Sequence, residues 1–309
     1  GSSSGGSAMD PTAAAARRRA TLIGFGAVML WSLLALTTVL TAPVPPFLLS
    51  ALSFGVGGLL CLGWAALRGE LGGLRRVPLR AYLFGTAGLF GYHALYFSAL
   101  RLAPPAQAGL ISYLWPLLIV LLSGLLPGER LTRAHVGGAV AAFAGAAILV
   151  LGRAEAGATA PAPVAGFALA GGAAVVWAVY SLGSRRLAAV PPVVVAVNCL
   201  ATAALSALVH PLVEPTLWPV SAGGWLAVAA LGLGPVGAAF YLWDIGVKGG
   251  DIQLLGTAAY AAPVLSTLAL IAAGQAQARP SLLVAAGLIA GGAALAASAG
   301  RRRARPVSV

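Results

Sequence analysis

Apolar residues run through this chain in long blocks separated by short polar breaks. Ten blocks can be set down, at roughly 20–41, 46–67, 80–102, 105–126, 133–152, 165–186, 191–211, 223–246, 251–273 and 280–300. A helix of about 20 apolar residues crosses the hydrocarbon core of a bilayer. Most breaks carry Pro, Gly or charge: Pro43-Val44-Pro45-Pro46, Arg75-Arg76-Val77-Pro78, Pro104-Pro105, Pro127-Gly128-Glu129-Arg130 and Lys248-Gly249-Gly250-Asp251. The blocks are continuously apolar and do not alternate, so helices fit and a β-barrel does not. The pattern predicts an all-α integral membrane protein with ten transmembrane helices.

Composition supports that class. Charged residues are 8% of the 309, against roughly 25% in soluble globular chains. That is too few to cover a water-facing surface, and disordered chains are charge-rich, so both classes are excluded. Cys61 and Cys199 each sit inside an apolar block, which excludes a disulfide scaffold. A net charge of +12 could suggest nucleic acid. The basic residues instead mark the ends of apolar blocks, as topology signals do. With a cytoplasmic N-terminus, 16 of the 19 basic residues fall on the cytoplasmic side, among them Arg17–Arg19, Arg75, Arg76, Arg185, Arg186, Lys248, Arg301–Arg303 and Arg305. Arg101, Arg153 and Arg279 fall on the other. Both termini are then cytoplasmic, which requires an even number of spans. The expected location is the inner (plasma) membrane. Arg17–Arg19 hold the start of the first block inside, so it reads as a retained span and not a cleaved leader. Residues 1–8 (Gly-Ser-Ser-Ser-Gly-Gly-Ser-Ala) read as an added linker before a native Met9.

The halves of the chain match each other. Residues 99–116 (ALRLAPPAQAGLISYLWP) and 246–263 (GVKGGDIQLLGTAAYAAP) align at an offset of 147. The alignment pairs Arg101 with Lys248, Gly109 with Gly256, Tyr113 with Tyr260 and Pro116 with Pro263. Gly145 pairs with Gly292 at the same offset, and Trp31 and Trp177 are 146 apart. A shared offset across several spans indicates duplication. Each copy holds five spans, an odd number, so the second enters from the opposite face. The expected organisation is an N-terminal five-helix repeat over 9–152 and an inverted C-terminal repeat over 153–309 that ends in a basic tail. Secondary transporters use this device to build two access states around one site.

These residues carry a resemblance. Leu30-Trp31-Ser32 in the first span, Tyr113-Leu114-Trp115-Pro116 in the fourth, and Trp243-Asp244-Ile245-Gly246 with Tyr260, Pro263, Val264 and Leu265 in the eighth and ninth resemble the drug/metabolite transporter superfamily in its ten-helix EamA-type branch. Within that branch the chain is similar to the YddG-type exporters of aromatic amino acids. The resemblance covers nearly the whole chain after Met9 and implies export of a small metabolite. One departure is Asp244, where the resemblance implies an Asn.

Trp64, Trp218 and Trp225 lie near span ends, where interfacial Trp is common. Trp31, Trp115 and Trp177 lie near midspan, where an indole N–H needs a polar partner or a wet cavity. Three together, with Tyr180 beside Trp177, favour a shared central cavity over three separate core contacts. Tyr92 and Tyr96 are one helical turn apart in the third span, with His93 between them. Ionisable groups at that depth are costly and commonly functional, although a neutral packed imidazole would also fit. Ser32 is the polar neighbour of Trp31, and Tyr260 lies beside the bend expected in the ninth span. Pro116 and Pro263 lie inside helices, so the carbonyls of Ser112 and Ala259 would lose their partners and the helices would bend. Asp244 fits a gate against Lys248, a contact to a substrate amine, or a plain interfacial pair.

The expected substrate-binding set is therefore Trp31, Ser32, Tyr92, His93, Tyr96, Trp115, Trp177, Tyr180 and Tyr260. Pro116, Pro263 and Asp244 are the kink or gate residues. No nucleotide loop, metal-ligand spacing or protease pair is present, so no enzyme activity, metal or cofactor is expected. The first span holds no Glu, which disfavours the proton–drug exchange of the small multidrug-resistance branch. The leading reading is an alternating-access exporter of aromatic or hydrophobic amino acids whose partners are a small molecule and the bilayer. Two others stay open: an EamA-type carrier of threonine, cysteine or a purine derivative, and a non-transporting receptor or scaffold.

Overall fold

The computed structural model describes residues 10–152, 154, 159–274 and 276–304; the linker reading of 1–8, Arg153 and Arg305 lie outside them. The described residues form a bundle of helices that follow the apolar blocks. Nine stretches are long and apolar enough to span a bilayer: span 1, Pro11–Leu40; span 2, Pro46–Leu67; span 4, Pro105–Leu125; span 5, Arg133–Leu151; span 6, Pro163–Arg186; span 7, Val194–Val213; span 8, Ala222–Gly249; span 9, Ile252–Ala272; and span 10, Pro280–Gly300. Leu79–Leu102 is a 24-residue helix between spans 2 and 4. Thr86, Tyr92, His93 and Tyr96 dilute its apolar run, and it is span 3 here.

Proline sets the register of several starts. Pro11, Pro46, Pro105 and Pro163 occupy the first turn of their helices, where the missing N–H costs nothing and φ is already helical. Span 1 begins at Pro11 and not near residue 20, because Asp10 caps it through the Thr12 N–H. Arg17–Arg19 therefore ride on the helix. Span 1 breaks at Ser32–Leu33, and span 8 widens into a π turn over Gly234–Ala238. Neither feature was legible in the hydropathy pattern.

Packing carries the duplication into three dimensions. Span 5 runs along span 10, span 2 along span 7, span 3 along span 6, and span 1 along span 8. If each span is exchanged with its copy five places on, the first two pairs map onto themselves and the last two onto each other. Close approach needs small residues. A Cβ built on Gly138 would lie 2.5 Å from the Gly292 carbonyl oxygen, and one on Gly145 would lie 2.8 Å from that of Ala285. At the 147-residue offset Gly138 matches Ala285 and Gly145 matches Gly292, so each contact is the image of the other. Val44-Pro45-Pro46 and Val190-Pro191-Pro192 add a further match, 146 residues apart.

Candidate functional site

The broken helices meet at the bundle centre. Span 4 is helical over Pro105–Ser112 and again over Trp115–Leu122; span 9 over Ile252–Ala258 and Ala261–Ala272. The break in span 4 is filled from the other repeat. The Tyr260 hydroxyl donates to the Tyr113 carbonyl (2.8 Å) and accepts from the Leu117 N–H (3.0 Å). A phenol thus sits where one i→i−4 backbone bond would close. Any freed carbonyl must be satisfied at this depth, and the one that Tyr260 takes belongs to Tyr113, one residue beyond the expected Ser112. Tyr260 is fully buried, and the Tyr113 ring lies 6.0 Å from it.

A cavity of about 490 Å³ opens beside these breaks. Trp31, Tyr92, His93, Tyr96, Trp115 and Trp177 all line it, with Tyr113 and Pro263. Trp31 is the hub. Its ring lies 6.0 Å from both Trp115 and Trp177 at steep angles, and 5.2 Å from Trp243. Tyr92 stacks on Tyr96 at 5.9 Å and 6°. Edge-to-face and stacked pairs of this kind contribute about 0.5–1.5 kcal/mol each beyond burial. The Tyr92 hydroxyl lies 3.3 Å from Ser112 Oγ. His93 donates from Nδ1 to the Leu89 carbonyl at 2.6 Å. With Nδ1 held as donor, the other nitrogen of a neutral ring is an acceptor. Phe54 meets the His93 ring edge-on at 5.0 Å. Among the described residues, no Asp, Glu, Lys or Arg lines the cavity.

Other expected site residues lie elsewhere. Ser32 is buried and donates to the Met29 carbonyl of its own helix, so its hydroxyl is spent locally. Tyr180 packs against Trp177 at 4.9 Å but faces a second, small pocket. Tyr260 braces the break, and Pro116 is buried beside it. Asp244 pairs with Lys248 at 2.8 Å on the wall of the small pocket. Three rings that the sequence did not single out complete the aromatic wall, Phe54, Phe97 and Phe240, and Trp243 packs behind Trp31 and Trp115. Trp243 is 1% exposed and donates its indole N–H to Ser181 Oγ at 3.0 Å. Its midspan position was the available signal. Phenylalanines give none, because lipid-facing and cavity-facing Phe read alike.

The cavity lies in one half of the bundle, away from the face where Arg17, Arg185 and Lys248 gather. In that basic half the spans close. A Cβ on Gly24 would lie 2.9 Å from Gly246 Cα. Glu129, with a 4% exposed side chain, pairs with Arg185 at 2.9 Å and lies 3.9 Å from Arg17. Arg185 also donates to the Gly250 carbonyl at 2.8 Å, and the Asp251 N–H donates to Thr21 Oγ1 at 2.9 Å. These contacts join spans 1, 6, 8 and 9 and the loop after span 4. At the opposite face the buried Glu214 carboxylate accepts from Arg101 (2.8 Å), the Leu48 N–H (2.7 Å) and His210 (2.8 Å). It fastens the ends of spans 2, 3 and 7.

Comparison with known proteins agrees with this architecture. The EamA-like transporter family matches twice, over residues 18–151 and 164–298. The chain is 57% identical over 286 residues to the "Aromatic amino acid exporter YddG" of Ancylobacter novellus, covering 93% of this chain and 99% of that one. It is 26% identical over 267 residues to the protein of the same name from Salmonella typhimurium, covering 81% and 87%. A crystal structure 57% identical in sequence superposes with a TM-score of 0.87 over 93% of this chain and 99% of the other. The chain is a multi-pass membrane protein and belongs to the EamA-like transporter family, a family of transporters and not of enzymes.

Proposed function

We propose that the protein exports aromatic and other large apolar amino acids, and that the Trp31–Trp115–Trp177 cavity is the central binding site. The observation that carries this reading is the wall itself. It is ring-lined, large enough for a small ligand, and free of fixed ionic charge. Such a wall holds an apolar ring by stacking. Tyr and Ser hydroxyls and the His93 ring are left to hydrogen-bond the polar end of the substrate. The relatives named as aromatic amino acid exporters support the same substrate class.

Transport proceeds by alternating access. The two repeats supply two related closures, one at each face, around the shared centre. The basic face is cytoplasmic by the distribution of Lys and Arg, in the inner membrane with both termini inside. The structure is then the form open to the outside and sealed to the cytoplasm. Among the described residues no carboxylate lines the cavity, and we infer facilitated diffusion down the substrate gradient.

Counterflow in proteoliposomes tests the assignment. Labelled phenylalanine or tryptophan exchanges saturably in wild-type vesicles. Trp115→Ala and Trp177→Ala each lower that flux about tenfold, the loss of one or two ring contacts, while the protein stays monodisperse. Wild-type-like flux in both removes the site. Exchange of threonine, cysteine or purines in place of aromatic amino acids moves the substrate elsewhere within the family.

A further inference from the structure

The small pocket in the basic half is the repeat-related image of the large cavity. Tyr180, Ser184, Asn198, Asp244 and Lys248 line its roughly 20 Å³. Ser184, Val190 and Val195 stand 146 residues after Thr38, Val44 and Leu49, and Asp244 stands 147 after Phe97. All four earlier residues line the large cavity, and their four counterparts line the small one, Phe97 giving way to Asp244. One vestibule is open, and its copy is collapsed.

The chemistry of the two copies differs. Where the open vestibule has Phe97, the collapsed one has Asp244, paired with Lys248 and 4% exposed. Lys248 Nζ also donates to the Val190 carbonyl at 2.9 Å, which draws span 8 onto the turn before span 7. Its counterpart Arg101 makes no such link to Val44. It turns outward to the Val213 carbonyl and Glu214. The Lys248 bridge therefore seals the small vestibule, and opening that vestibule must free it.

We propose that Asp244 and Lys248 form a receiving site for a zwitterion at the basic face, occupied when the collapsed vestibule opens. Asp244 takes the ammonium and Lys248 the carboxylate of an α-amino acid. A buried ion pair is costly to break when one partner is left uncompensated. A zwitterion offers both opposite charges on one carbon, so each side chain exchanges one partner for another. An amine or an acid alone satisfies only one of them. Among the described residues the central cavity has no Asp, Glu, Lys or Arg with which to impose this requirement, so the charges of the substrate are matched at this vestibule, while at the centre its ring is stacked and its polar end hydrogen-bonded. The inference rests on the export of amino acids proposed above and adds to it the group that selects a zwitterion.

The test measures transport separately from the two faces, in everted and right-side-out vesicles, with tryptophan and its decarboxylated analogue tryptamine. In the double variant Asp244→Asn, Lys248→Gln, the KM for tryptophan rises about tenfold from the basic face, the loss of charge-assisted contacts. From the other face it stays within about twofold of wild type, and the preference for tryptophan over tryptamine falls. An equal rise at both faces, or none at either, overturns the proposal. A second measurement does not depend on the folding of that variant. In a Cys61→Ser, Cys199→Ala background, Ser184→Cys is labelled by a membrane-impermeant thiol reagent from the basic face, and tryptophan blocks the label where tryptamine does not. Absence of labelling, or equal protection by both compounds, overturns the vestibule. If the wild-type protein moves no aromatic amino acid, the export reading fails. If it does, and the basic-face KM of the double variant is unchanged, the zwitterion site alone fails.

Discussion

The half of the bundle around Thr38 and Phe97 and the half around Ser184 and Asp244 are related by the repeat, each built from spans of both five-span copies. In the first, the spans stand apart around a ring-lined cavity. In the second they close through Gly24 against Gly246 and through Glu129 shared between Arg17 and Arg185. The difference lies in the residues added after duplication. Phenylalanine in one copy leaves a non-adhesive wall; aspartate and lysine in the other make a latch. One backbone thus supplies two vestibules of different chemistry; under the alternating access proposed above, the two access states are unequally populated.

That asymmetry can be broken, and the largest effect is expected at the glycine seam. Gly246→Val places a branched side chain where even a Cβ would lie 2.5 Å from Gly24 Cα. The basic half cannot close, and exchange falls roughly a hundredfold, equivalent to about 2.7 kcal/mol on the transport barrier. Loss of exchange together with constant labelling of Ser184→Cys is the expected signature; normal exchange would place the seal elsewhere. Glu129→Gln is milder. It weakens the hold on Arg17 and Arg185 together, so labelling of Ser184→Cys speeds several-fold while substrate affinity measured from the cavity side is unchanged. Unaltered labelling would show that the glycines seal the half unaided.

Tyr260→Phe sharpens a different point. It removes the hydroxyl that serves both Tyr113 and Leu117, so a buried donor and acceptor lose a partner, at a cost of about 1–3 kcal/mol. A lower melting temperature with substrate KM retained is the expected result; a changed KM at normal stability would return Tyr260 to the binding set. Ser32→Ala is the smallest. Its hydroxyl is spent on Met29, so flux stays within about twofold of wild type.

Much of the fold was legible in the sequence because the bilayer imposes strong rules. Span length, basic flanks and the doubled motifs each follow from one physical constraint. The cavity lining was legible where a residue looked out of place. Trp31, Trp115, Trp177, Tyr92, His93 and Tyr96 are polar-edged rings at apolar depth, and all six line the cavity. Polarity alone does not separate a lining serine from one that bonds its own helix, and Ser32 bonds the Met29 carbonyl. Tyr260 lies at the break in span 9, as its place beside Pro263 suggests, but a single sequence does not say that its hydroxyl reaches across to the other repeat. Phe54, Phe97 and Phe240 carry no mark that separates cavity from lipid. The break at Ser32–Leu33 and the π turn in span 8 depend on tertiary packing and leave no trace in periodicity.

The bond from Tyr260 to the span 4 backbone has a consequence for how the molecule could be taken apart. The N-terminal copy leaves a gap in one of its own helices that a side chain of the C-terminal copy fills. Spans 5 and 10, 2 and 7, 3 and 6, and 1 and 8 likewise find their principal neighbours across the divide. Cut within the loop between spans 5 and 6 and made as two polypeptides, the halves would have to find each other to finish folding, and either alone would be an unfinished object. Divergence after duplication has made the copies mutually dependent: each has become part of the other's interior.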